Sequence, residues 1–166
     1  MLVSGETYSE NEARITISRV PDTPGIASRL FTPISGAGIV VDMIIQNTRT
    51  GNNITDMTFT VPRTDYDRAM QIVETVSKEI GAERVSGSKD IAKISIVGVG
   101  MRNHSGIATT MFDVLAREGI NILMISTSEI KISCVIEEKY SELAVRALHD
   151  AFRLDAKIPP VEQQAN

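Results

Sequence analysis

Two short segments carry the residues best suited to holding a small charged molecule: Asp22-Thr23-Pro24-Gly25-Ile26-Ala27 and Asn103-His104-Ser105-Gly106-Ile107-Ala108. In each, a glycine stands where an extended run gives way to a helical one. Glycine lets the backbone come close to a ligand. The unpaired N–H groups of a helix's first turn, at the positive end of its dipole, suit a carboxylate. A free α-amino acid needs one such anion site and an acceptor for its ammonium group, which Asp22 or a nearby carbonyl would supply. Asn103 stands in place of that acid in the second segment, so the two turns need not bind alike. The same residues also suit a plain strand-to-helix turn in which Asp22 or Thr23 caps the helix. The turns alone leave both readings open.

Other chemistries lack their residues. His104 and His149 have no cysteine or carboxylate at ligand spacing, so no metal is expected. Cys134 is the one cysteine, which excludes an intramolecular disulfide and suits a small buried apolar residue. There is no Gly-x-x-x-x-Gly-Lys-Ser/Thr element, and Gly98-Val99-Gly100 is too short for a dinucleotide fingerprint. No serine sits in a Gly-x-Ser-x-Gly turn. No catalytic residue and no cofactor is expected, and an independent enzyme is the weakest reading.

The elements that would position the two turns are written twice. Arg14-Ile15-Thr16-Ile17-Ser18 is echoed by Lys93-Ile94-Ser95-Ile96-Val97, Gly25-Ile26-Ala27 by Gly106-Ile107-Ala108, and Gly38-Ile39-Val40-Val41-Asp42-Met43-Ile44 by Gly119-Ile120-Asn121-Ile122-Leu123-Met124-Ile125. The order is kept at a spacing of about 80 residues, as two homologous units require. Within the first unit, Ile15 and Ile17 alternate with polar neighbours, which reads as a half-buried strand. Ile26, Leu30 and Ile34 then fall at helical spacing, with Gly36 and Gly38 as stops and a bend or early end expected at Pro33. Residues 39–47 and 54–61 read as a hairpin around Thr50-Gly51-Asn52-Asn53, with Asp56, Thr58 and Thr60 on a wet or loosely covered face. A second helix spans about 65–80. The second unit repeats this with a strand at 92–99, a helix at 106–118, a hairpin over 120–136 and a helix over 140–152.

With one more strand per unit this is α+β: two tandem ferredoxin-like β-α-β-β-α-β units whose antiparallel sheets are covered by helices on one face. The first unit, 8–88, can take its extra strand from 83–86. The second, 89–158, has no such segment, whereas the chain opens with a spare copy in Leu2-Val3-Ser4-Gly5. Residues 1–7 are therefore expected to complete the second sheet, and 159–166 to form a mobile tail.

Bulk properties agree with a small binding module. The net charge is −4, with 4% aromatics. Nucleic-acid binding usually needs clustered cations and stacking platforms, so nucleic acid is not an expected partner. No apolar run reaches the roughly 18 residues a membrane span needs, and the start does not read as a secretory signal. A cytoplasmic protein without a membrane partner is the expectation.

The repeated plan with its loop glycines resembles tandem ACT domains, a family of amino-acid-sensing modules. More specifically, Val41-Asp42-Met43-Ile44-Ile45-Gln46-Asn47, Thr55-Asp56-Met57-Thr58-Phe59-Thr60-Val61-Pro62-Arg63 and Met124-Ile125-Ser126-Thr127-Ser128-Glu129-Ile130-Lys131-Ile132-Ser133 resemble the regulatory region of aspartate kinases. That resemblance implies feedback inhibition of aspartyl phosphate formation by lysine and/or threonine. It also implies a homodimer formed through ACT domains and a catalytic aspartate kinase subunit or domain as partner. Effectors would sit between the first domain of one chain and the second of another. The first side would comprise Asp22, Gly25, Ile26, Ala27 and Gln46, and the second Ile107, Ala108, Asn121, Ile122 and Ser128. The competing assignment is a free-standing ACT regulatory subunit of another pathway, such as that of acetolactate synthase, or an amino-acid-responsive regulator.

Overall fold

The computed structural model describes residues 3–49, 51–98 and 105–152. Its elements are β1 (Val3–Pro21), α1 (Ile26–Gly36), β2 (Ile44–Arg49), β3 (Ile54–Val61), α2 (Tyr66–Ile80), β4 (Arg84–Gly98), α3 (Ser105–Arg117), β5 (Met124–Thr127), β6 (Lys131–Glu137) and α4 (Ser141–Phe152). Short 3-10 turns at Arg63–Asp65 and Glu138–Tyr140 lead into α2 and α4.

Two of these strands are longer than the repeat suggests. The opening copy and the first strand of unit one run together as the 19 residues of β1, with no glycine or proline between Thr7 and Val20 to break them. The last strand of unit one likewise continues into the first of unit two as β4. The result is one antiparallel six-stranded sheet in the order β2-β3-β1-β4-β6-β5. Residues 14–18 of β1 pair with 84–88, and residues 3–9 pair with 93–98. Each unit thus has a four-stranded ferredoxin-like sheet, and the two sheets share β1 and β4.

A change of alternation makes this sharing possible. Between Ser9 and Glu12 the strand β1 uses one residue more than β4, and between Glu12 and Arg14 it uses one fewer. Each irregularity shifts the parity of its own strand, as a bulge does. Ile15 and Ile17 on one side of the shift, and Ile94 and Ile96 on the other, therefore all meet helices. The first core joins Ile15, Ile17, Met57 and Phe59 to Leu30 and Ile34 of α1 and to Val73 of α2. Phe31 meets Phe59 edge-on at 5.1 Å between ring centres, a favoured aromatic geometry. The second core joins Ile94, Ile96, Cys134 and Ile136 to Met111 and Leu115 of α3 and to Leu148 of α4. Burial pushes the Cys134 thiol up to about 12, which keeps it protonated and inert.

Two local expectations change. Helix α1 passes through Pro33 and ends at Gly36. Proline deprives only the carbonyl four residues back of its partner, and that residue, Arg29, is exposed to water. The helix-free face is also not simply wet. Thr60 is fully buried and its hydroxyl accepts the Met43 N–H at 3.0 Å. Met43 and Ile45 of the first unit pack with Ile91, Met124, Val135 and Leu123 of the second in a third apolar cluster. The backs of the two halves of the shared sheet therefore meet at this cluster. The 159–166 tail lies outside the described residues.

Glu6 is an anomaly in the second half of β1. It lies opposite Ile96, and both of its carboxylate oxygens are buried without a hydrogen-bond partner among the described residues. Burial pushes its carboxyl up to about 7 from 4.5, opposed by the charge of His149 on α4. From pH 4.5 to 7 the folded state therefore holds a proton that the unfolded chain has released, so stability falls as pH rises through that window. Glu6→Gln is expected to be more stable than the parent at pH 8, by about 1 kcal/mol once solvent screening is allowed for. The advantage should vanish near pH 4. Urea denaturation at both pH values checks this, and a pH-independent difference would refute it.

Candidate ligand site

The first turn is built by the end of β1 and the start of α1. The Asp22 N–H donates to the Asn53 carbonyl at 2.7 Å, which ties the turn to the β2–β3 connection. Gly25 has φ 90°, a left-handed conformation that a side chain would strain, and it immediately precedes α1. The Ile26 N–H turns back to the Thr23 carbonyl at 3.2 Å. Among the described residues no side chain caps α1, so neither Asp22 nor Thr23 plays that part. Helix geometry leaves the N–H groups of Ala27 and Ser28 without intrahelical acceptors. The Asp22 carboxylate instead accepts a hydrogen bond from Gln46 Nε2, at 3.4 Å.

Asp22, Gly25, Ile26, Ala27 and Gln46 line one surface hollow of ≈ 540 Å³, together with Thr23, Pro24 and Ser28. Most of these side chains are open to water, while Ile26 is anchored in the first core. Backbone amides without helical acceptors, an acid and an amide side chain therefore converge on an open wall. Ser28 belongs to no motif and joins the hollow only because α1 brings it round by part of a turn. Asn53 reads in the sequence as turn filler, but its carbonyl helps to hold Asp22 in place.

The second set is not gathered in the same way. Ile107 is buried in the second core, and Ala108 and Ile122 pack partly against it. Asn121 is exposed in the α3–β5 connection. Ser128 closes the β5–β6 turn, its N–H donating to the Lys131 carbonyl at 2.7 Å. Asn103 and His104 lie outside the described residues. The two sheet edges, β2 and β5, each present a large apolar side chain to water: Ile44 at 52% exposure and Ile125 at 44%.

Further along β1 from the hollow lies an ionic cluster that the sequence does not announce. Lys93 on β4 donates to Asp42, which precedes β2, and lies 3.5 Å from Glu12 on β1. Burial raises the Glu12 pKa, against the pull of Lys93. Burial alone would lower that of Lys93, but the bond to Asp42 and the two negative charges outweigh it and raise it. Nearby, Arg63 donates to Glu138 and to the Ile91 carbonyl, each at 3.1 Å, and so bridges the two units. Among the described residues no group of three or more metal-ligating side chains is assembled, and no helix is long and apolar enough to cross a membrane.

Comparison with known proteins gives a consistent result. Family models described as ACT domain match residues 13–78 and 94–152. The chain is 61% identical over 155 residues to an aspartate kinase of Pseudomonas fluorescens, and 44% identical over 155 residues to an aspartokinase of Helicobacter pylori. Each match covers 93% of this chain, which spans only 37% of the length of either relative. Among solved structures, the ligand-free regulatory subunit of aspartate kinase from Thermus thermophilus superposes with a TM-score of 0.86 at 41% identity, covering 92% of this chain and 99% of that one. A chain from a crystal structure of aspartokinase alpha and beta subunits gives 0.85 at 49% identity, with the same coverage.

Proposed function

The chain belongs to the aspartate kinase family as its regulatory region of two ACT domains, and from that premise we propose that it senses lysine and/or threonine and thereby controls aspartyl phosphate formation. The observation that carries this reading is the common hollow of Asp22, Gly25, Ile26, Ala27 and Gln46 beside an uncapped helix start. The effector carboxylate sits on the α1 amides and its ammonium group faces Asp22, while Gln46 holds Asp22 in orientation. The open side of the hollow is closed by Ile107, Ala108, Asn121, Ile122 and Ser128 of a second copy in a homodimer. Residues 8–88 are the first sensing unit and 89–158 the second, completed by residues 1–7. The pairing of residues 3–9 with 93–98 supports that division.

The partner is the catalytic aspartate kinase portion, as a domain or a subunit, and this region takes no part in the phosphoryl transfer. An effector inhibits only if it binds the inactive arrangement better than the active one. A site shared between two chains provides that difference, because only one relative placement of the copies completes it. A coupling of about 1–3 kcal/mol gives several-fold to hundredfold control.

Calorimetric titration with lysine, threonine, valine and glycine, read together with oligomer size, tests the proposal. Lysine or threonine is expected to bind and to favour the dimer, while valine and glycine do not. Gln46→Ala and Asp22→Ala should each weaken binding by about tenfold or more, the effect of losing a hydrogen bond to a charged group. Wild-type affinity in both variants would remove the site from this turn.

A further inference from the structure

We propose that Arg19 and Asp56 are positioning residues for the effector hollow, acting through a bulge that aims the Asp22 turn; the assignment of that hollow to an effector rests on the function proposed above. Strands β1 and β3 pair in regular register from Ala13 opposite Val61 to Ile17 opposite Met57, then resume at Val20 opposite Thr55. Two residues of β1, Ser18 and Arg19, therefore face the single residue Asp56. The inserted residue changes the alternation: Ala13, Ile15 and Ile17 are buried at odd positions, and after the bulge Val20 is fully buried at an even one.

Arg19 makes the bulge by adopting φ 57°, a left-handed backbone that glycine, asparagine and aspartate favour and an arginine seldom takes. Such strain persists only when its surroundings impose it, and two contacts do so. The Arg19 N–H, turned out of the strand ladder, donates to Asp56 Oδ1 at 2.8 Å. The Arg19 guanidinium reaches across to Glu83, with Nε 2.6 Å from Oε2. Three residues further on, the Asp22 N–H reaches the Asn53 carbonyl at 2.7 Å, and the Asp22 carboxylate meets Gln46. Without the extra residue Val20 would leave the core and Asp22 would turn to the opposite face. The side chain of Asp56, on the neighbouring strand, thus sets where the acid of the hollow points without lining the hollow itself.

The test uses the full chain and four variants, Asp56→Ala, Asp56→Asn, Arg19→Val and Arg19→Gly. Amide hydrogen exchange is read at Asp22, and binding is read by titration with lysine and with threonine. Asp56→Ala removes the acceptor, and Arg19→Val places a β-branched residue at left-handed φ. Both are expected to lose protection of the Asp22 amide and to weaken binding by about three- to tenfold, the effect of one lost hydrogen bond, while the amides of Ile94 and Ile96 stay protected. Asp56→Asn keeps an oxygen acceptor and Arg19→Gly relieves the strained φ, so both should retain protection and affinity. Unchanged Asp22 protection in Asp56→Ala and Arg19→Val would overturn the positioning role. If protection responds as expected but the wild-type chain binds neither amino acid, the bulge's control of the turn stands and the effector assignment falls.

Discussion

Lys93→Ala is expected to lower the unfolding free energy by about 3–5 kcal/mol, the usual consequence of removing one partner from a buried ion pair. The Lys93 side chain is only 17% exposed, and Glu12 as a whole 7%. Without the ammonium group, Glu12 and Asp42 would be left as two like charges, one of them buried against the shared sheet. The carboxyl of Glu12 is already pushed up by burial, so much of the penalty should be escaped at low pH, where it protonates in place. The penalty in the variant should therefore grow as pH rises from 4 to 8. Urea denaturation of Lys93→Ala, Glu12→Gln and the double variant measures the coupling directly, because the double variant removes both the cation and the stranded anion. The double variant should be more stable than the sum of the two single losses implies. A loss below about 1 kcal/mol for Lys93→Ala would mean that water screens the cluster as it does a surface pair. Asp42 lies just ahead of the strand that carries Gln46, and Lys93 ties it to β4.

Removal of residues 1–9 should be more damaging still. Six residues of this segment pair with residues 93–98, and Glu6 and Tyr8 lie opposite Ile96 and Ile94. The truncated second sheet would keep only β4, β6 and β5, with β4 an unprotected apolar edge over half its length. At roughly 1 kcal/mol per lost ladder hydrogen bond the cost is on the order of 5 kcal/mol, which corresponds to about 10–20 °C in Tm for a chain of this size. The loss should be uneven: protection of the Lys93, Ser95 and Val97 amides, which face residues 5–9, collapses, while that around Phe59 in the first core persists. A synthetic peptide of residues 1–9 should restore part of the stability by adding back as a strand. Full Ser95 and Val97 protection in the truncated chain would show that the segment is dispensable to the second unit.

The two units, their order of elements and their helix-covered sheets were legible because each element carries its own period. Ile15 and Ile17 alternate as a strand does, and Ile26, Leu30 and Ile34 recur as a helix does. The first half of the candidate site was legible for a similar reason: Asp22, Gly25, Ile26 and Ala27 are neighbours in the chain, and the resemblance added Gln46. Pro33 did not end α1 early, because the carbonyl it deprives of a partner belongs to the exposed Arg29. Thr60 misled, since its polar side chain lies under Met43 rather than in water. Arg19 gave no warning at all, as nothing in an arginine signals a left-handed backbone.

The amino-acid sequence by itself determined what is local: the repeat, the element types, the glycine-opened turns, and a family likeness carried by short contiguous runs. Only the tertiary structure decided that the two sheets fuse through β1 and β4, that Glu12, Asp42 and Lys93 meet, and that Asp56 holds the bulge ahead of Asp22. The physical reason is range. Alternation and helical period are set by neighbours within a turn or a pleat. Residues 30 to 80 apart, by contrast, are brought together by the burial of whole faces, and no local pattern records which partners that burial will choose.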